Sequence, residues 1–99
     1  MIRGTTPTLE FDVPFDTELL AEAYVTLSQN RAIVVDKPLT ECQCNGHKLT
    51  VRLTQEETLK LNCDCNTEIQ IRARMVDGNA VASNIIVVST NRILKDGVI

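Results

Sequence analysis

Apolar side chains in this chain return at every second position, and turn-forming residues break the rhythm every eight to twelve residues. Leu9, Phe11, Val13 and Phe15 fall on one parity while Glu10 and Asp12 take the other. Successive side chains of a β-strand point to opposite faces, so this pattern describes a strand with one buried face. The same spacing recurs in Ala23, Val25, Leu27, in Leu49, Val51, Leu53, and in Ile69, Ile71, Ala73, Met75. The chain is therefore expected to be all-β.

Turn chemistry divides the pattern into seven strands: Thr8 to Phe15, Glu22 to Ser28, Ala32 to Asp36, Cys42 to Cys44, His47 to Leu53, Glu68 to Val76 and Ala80 to Ser89. Pro14 cannot donate to a ladder and marks the first strand as an edge. Asp16 is placed to cap a short turn over residues 16–20. Asn30 and Arg31 join the second and third strands, and Asn45-Gly46 and Asp77-Gly78 read as two-residue hairpin turns that need positive φ. Between strands five and six, Thr54 and Glu57 stand in capping-box relation and predict one helical turn near residues 55–60. Seven short strands in 99 residues predict a single domain with the architecture of an immunoglobulin-like β-sandwich, with a small closed β-barrel as the runner-up. Residues 1–7 and 91–99 lie outside the pattern as terminal arms. Ile93, Leu94, Val98 and Ile99 give the second arm apolar groups that dock on either the parent sandwich or a neighbouring subunit.

Composition narrows the function. The only aromatic residues are Phe11, Phe15 and Tyr24, too few for carbohydrate platforms or base-stacking surfaces. A formal charge of −3 argues against a nucleic-acid partner, and Arg72 and Arg74 beside Gln70 read as a solvated strand face. The longest apolar run, Ile85 to Val88, is far short of the roughly 20 residues of a membrane helix, so no membrane partner is expected. The polar segment Met1 to Pro7 lacks the apolar stretch of a signal peptide, which predicts synthesis and retention in a reducing cytoplasm.

The sharpest chemical candidate is a pair of Cys-x-Cys motifs, Cys42 with Cys44 and Cys63 with Cys65, near the single histidine His47. Residues two apart on a strand share a face, so each pair could chelate zinc, and an Asn45-Gly46 turn would set Cys44 directly opposite His47. If the segment after strand five is the corner between two sheets, the pairs are held apart and neither zinc nor a disulfide joins them. The spacing also departs from common zinc modules, and Cys42 and Cys44 share the parity of Leu49 and Val51, so structural thiols are the expectation and no metal is assigned. Glu10 and Asp12 fit solvated alternation, and Glu56 and Glu57 favour a helix start. No serine lies in a nucleophile elbow and no glycine-rich phosphate cradle exists, so no catalytic or cofactor-binding residue is assigned.

Three segments carry a resemblance: Arg3-Gly4-Thr5-Thr6-Pro7-Thr8, Leu53-Thr54-Gln55-Glu56-Glu57-Thr58-Leu59-Lys60 and Ala82-Ser83-Asn84-Ile85. Over its whole length the chain resembles a group of short proteins encoded in prophages of Gram-positive gut bacteria. The resemblance implies a phage origin and a place among virion or tail-associated components; it brings no functional residues with it. The expectation is a non-enzymatic structural or assembly protein made in the host cytoplasm, which self-associates or binds other phage structural proteins and so enters the virion. The alternative is a small intracellular binding protein, stabilised by zinc, that targets a host factor.

Overall fold

A computed structural model describes all 99 residues. Its strands are β1 (Thr8–Asp12), β2 (Leu20–Gln29), β3 (Ala32–Pro38), β4 (Cys42–Asn45), β5 (Lys48–Arg52), β6 (Thr67–Met75), β7 (Ala80–Ala82) and β8 (Ile86–Val88), with one helix, α1 (Gln55–Leu59). They form two antiparallel sheets. One has the order β1-β5-β4; the other has β3-β2-β6, with β7 and β8 both on the far edge of β6. All four lateral edges stay open, so the sheets do not close into a barrel.

The period-two pattern decides where the core lies. Val25 and Leu27 of β2, Val35 of β3, and Ile69 and Ile71 of β6 face Leu49 and Val51 of β5, with Leu53 and Leu61 completing one buried cluster. Leu9 and Phe11 of β1 pack against it from the side. Each fully buried leucine contributes roughly 2–3 kcal/mol, and the layer is continuous across both sheets. The chain crosses between sheets three times, from β1 to β2, from β3 to β4 and from β5 through α1 to β6.

At the third crossing α1 begins with the expected reciprocal cap. Thr54 Oγ1 accepts from Glu57 N at 3.1 Å, and Glu57 Oε1 accepts from Thr54 N at 2.8 Å. Five residues are too few for a helix to stand alone. Arg3 holds its far end by donating to Leu59 O and Leu61 O at 2.9 and 2.6 Å, and Thr58 donates to Thr5 O at 2.8 Å.

The strand count differs from the sequence expectation because the segment 80–89 is two strands rather than one. Arg72 pairs with Ala82, but Ile69 pairs with Ile86, so one extra residue enters at Ser83–Ile85 as a bulge. Ser83 fills it, its Oγ accepting from Ile71 N at 3.0 Å while its own N donates to Ile71 O at 2.9 Å. A second difference is the hairpin turn: Asn45 pairs with Lys48, so the turn residues are Gly46-His47 rather than Asn45-Gly46. The first strand also ends early, at Asp12, because Pro14 offers no donor and the chain bends there toward the hairpin.

Asn30 and Arg31 form the β2–β3 turn with φ of 50° and 65°. Arginine pays a steric cost in that left-handed conformation and glycine does not. Arg31→Gly is therefore expected to raise stability by about 0.5–1 kcal/mol, net of the added unfolded-state entropy, as an upward shift of the urea midpoint with unchanged slope.

Candidate functional site

The five zinc candidates do not assemble. Cys42 sits on β4 opposite Val51, packs on the core cluster, and donates through Sγ to Pro38 O at 3.4 Å. Burial, with Cys44 next to it, pushes its thiol pKa up. Cys44 lies opposite Leu49, not His47, and is exposed. Cys63 and Cys65 belong to the loop after α1, where Cys65 Sγ accepts from Asn30 Nδ2 at 3.1 Å. His47 is in the turn itself and bonds Phe15 O through Nδ1 at 2.7 Å. A carbonyl oxygen only accepts, so that ring nitrogen carries the proton. Beside it, Thr17 donates from both N and Oγ1 to Gly46 O at 2.8 and 2.7 Å. The histidine thus clamps the hairpin tip to residues 15–17. No three His, Cys, Asp or Glu side chains converge on a point that could hold a metal ion.

Among the charged candidates, Glu10 and Arg74 are engaged with neighbours. Glu10 accepts from Lys48 Nζ at 2.7 Å, and the same contact raises the lysine pKa. On the outer face of the larger sheet, Tyr24 donates to Glu22 at 2.6 Å and Arg74 lies 3.4 Å from the same carboxylate. The Glu22 carboxyl is held below its ordinary range by those two partners. All are water-exposed contacts of small energetic weight.

The two lateral sides of the sandwich differ in kind. On the side of β3 and β4, Lys37 shares the inward parity of Val35, is only 7% exposed, and meets Glu57 at 3.0 Å and Glu41 at 3.2 Å. Burial pushes the Lys37 pKa down, but the two carboxylates outweigh it and the net shift is upward. Burial pushes Glu57 up, but the Thr54 amide and Lys37 outweigh it and its carboxyl titrates below the ordinary range. This ion triad closes that side. Lys37 and Glu41 were not singled out from the sequence and Glu57 was read only as a cap and helix-start charge, although parity with Val35 already placed the lysine inside.

The opposite side, between β1 and β7–β8, stays open. Val13 N donates to His47 O and Leu53 N to Pro7 O, so the odd residues of β1 bond β5. The backbone groups of Thr8, Glu10 and Asp12 consequently point away from the sheet along a free edge. Across the gap, Val81 pairs with Ala73 and Ile86 with Ile69, which turns both side chains inward, yet they are 40% and 46% exposed. The smaller sheet ends at β1 and does not reach over them. What remains is an apolar cleft of about 370 Å³ lined by Phe11, Val13, Phe15, Ile71, Val81 and Ile86. Ile85 and Val87, at 55% and 57% exposed, extend the apolar surface around the edge. The sequence masked this site because the bulge reverses side-chain parity between Val81 and Ile86.

The arms fall on the parent sandwich to different degrees. Met1–Arg3 runs parallel to Ser89–Asn91, with Met1 N donating to Ser89 O, Asn91 N to Met1 O and Arg3 N to Asn91 O at 2.7, 2.7 and 3.1 Å. Gly4, at φ 72°, then turns the chain so tightly against Ile93 and Leu59 that a β-carbon would meet Ile93 at 2.9 Å. Beyond Ile93 the second arm leaves Leu94 and Ile99 exposed, with Ile99 held only through the Gln55 side chain.

No family model matches this chain, and no curated protein or solved structure matches it.

Two measurements test these assignments. Thiol labelling is expected to modify Cys44 first and Cys42 last, because Cys44 is exposed and burial disfavours the Cys42 thiolate. The stability contributed by Glu57 is present above the ordinary glutamate range and lost as pH falls through its lower folded value. Glu57→Gln is thus expected to cost about 1–2 kcal/mol near neutrality, and the gap to the wild type to shrink in urea melts below about pH 4.

Proposed function

We propose that this chain is an immunoglobulin-like structural or assembly component of a phage or prophage particle, associated with the virion or tail, that works through protein surfaces and self-association. Strand order supports the architectural part. If β1, β2, β3, β4, β5 and β6 take the places B, C, C′, D, E and F, and β7 and β8 share G, the two sheets become B-E-D and C′-C-F-G. On that assignment α1 occupies the E–F corner. The likeness of residues 3–8, 53–60 and 82–85 to prophage-encoded proteins supports the phage part.

The observation that carries the functional reading is the open side between β1 and β8. Monomeric sandwiches guard strand edges with charges, prolines or a covering segment. This one leaves Val81, Ile85, Ile86 and Val87 uncovered beside a free β1 edge. A contiguous apolar patch next to unpaired backbone is the physical form of a protein–protein site.

Native mass spectrometry of the purified chain, before and after chelation, tests the reading. Metal-free species of more than one chain are expected. A zinc-loaded single chain would instead favour the host-factor alternative.

A further inference from the structure

The larger sheet ends in a strand whose chemistry suits a copy of itself. From Val81 to Ser89 the chain carries no charged side chain and no proline, the two common guards of an exposed edge. Ser83 N donates to Ile71 O and Met75 N to Asn79 O, so the odd residues of β6 direct their backbone toward β7 and β8. Ile69 and Thr67 then bond Ile86 and Val88, their register partners, so the N–H and C=O groups of Val87 face outward, and those of Ile85, at the end of the bulge, have no backbone partner. Met1–Arg3 covers the edge only at Ser89–Asn91. The stretch just before it is free.

We propose that this edge is the contact between two copies of the chain, in which β8 pairs antiparallel with β8 of a second copy about a two-fold axis at Ile86. The inference rests on the self-associating reading above and names its surface and partner. Ile85 then stands opposite the second copy's Val87 and exchanges both backbone hydrogen bonds with it, and the symmetry repeats the pair. Ile86 stands opposite its own counterpart at the closer, non-hydrogen-bonded spacing. Its inward side chain, 46% exposed in the single chain, is covered at the mouth of the cleft.

Charge selects this pairing over the other free edge of the same open side. A two-fold contact through β1 would set Glu10 and Asp12 against the same carboxylates of the second copy, and like charges directly opposite each other destabilise a strand pair. The β8 edge is neutral, so self-pairing there meets no such opposition. Its shortness puts the contact at the small end of protein interfaces, and the dimer is correspondingly concentration-dependent.

Sedimentation velocity over a concentration series tests the proposal, with hydrogen exchange on the same samples. The wild type is expected to shift from one chain to two, while the amides of Ile85 and Val87 exchange more slowly as the dimer fills. Val87→Lys places a charge on an exposed, outward position and is expected to weaken association roughly tenfold or more, with an unchanged far-ultraviolet spectrum. Glu10→Lys with Asp12→Lys is expected to leave the dimer intact. A wild type that stays a single chain throughout overturns both this pairing and the self-associating reading. An assembly that survives Val87→Lys without protecting those amides, or one lost only in the β1 variant, overturns the β8 contact alone.

Discussion

One apolar layer, shared by two strand pairs that lie in different sheets, is what the rest of this molecule depends on. β1 pairs with β5 and β2 with β6, and the chain passes from the first sheet to the second within each half. Neither pair can bury its apolar face alone. Leu49 and Val51 need Val25, Leu27, Ile69 and Ile71 across the gap, and all are nearly water-free. Each register is thereby fixed, since a slip by one residue would turn every inward side chain outward. The other elements are placed by what this layer leaves unsolved at its ends and sides.

Those leftover problems are met with different chemistry. The end where α1 crosses is sealed by polar groups of widely separated segments: Gln29 donates to Asn62 O at 2.8 Å and accepts from Asn62 N at 2.8 Å, while Thr67 and Thr90 share a hydrogen bond of 2.6 Å. The side of β3 is sealed by a buried cation between two carboxylates. An ion triad around a buried lysine adds little net stability, but its directional contacts fix how β3, the turn before β4 and α1 meet. Only the side of β1 and β8 receives neither a polar seal nor a covering strand.

Much of the fold was legible because period-two patterning and turn chemistry are local signals. The strands around Val25, Leu49 and Ile71, the Asn30-Arg31 turn and the Thr54–Glu57 cap could all be read from residues close in sequence. What escaped depended on partners far away. The Gly46-His47 turn was misplaced by one residue because Phe15 and Thr17, some thirty positions upstream, hold it through Nδ1 of His47 and the oxygen of Gly46. The split of the last strand was missed because alternation in Ile85–Val88 says nothing of a bulge created by Ser83 bonding Ile71. The candidate interface was hidden with it: Val81 and Ile86 have opposite parity and look like opposite faces, yet both point into the cleft. The cysteine motifs were visible but uninformative, since spacing alone did not reveal that Cys44 faces Leu49.

The parallel seating of Met1–Arg3 against Ser89–Asn91 bears on the order in which the fold closes. Met1 N and its partner Ser89 O are 88 positions apart along the chain. Arg3 also bonds Leu59 O and Leu61 O, so the same segment ties the end of α1 to residues 89–91. Loop closure must be met before such distant contacts form, so this seam belongs to the last steps of folding, and the β2–β3 and β4–β5 hairpins, which pair near neighbours in sequence, belong to the earlier ones.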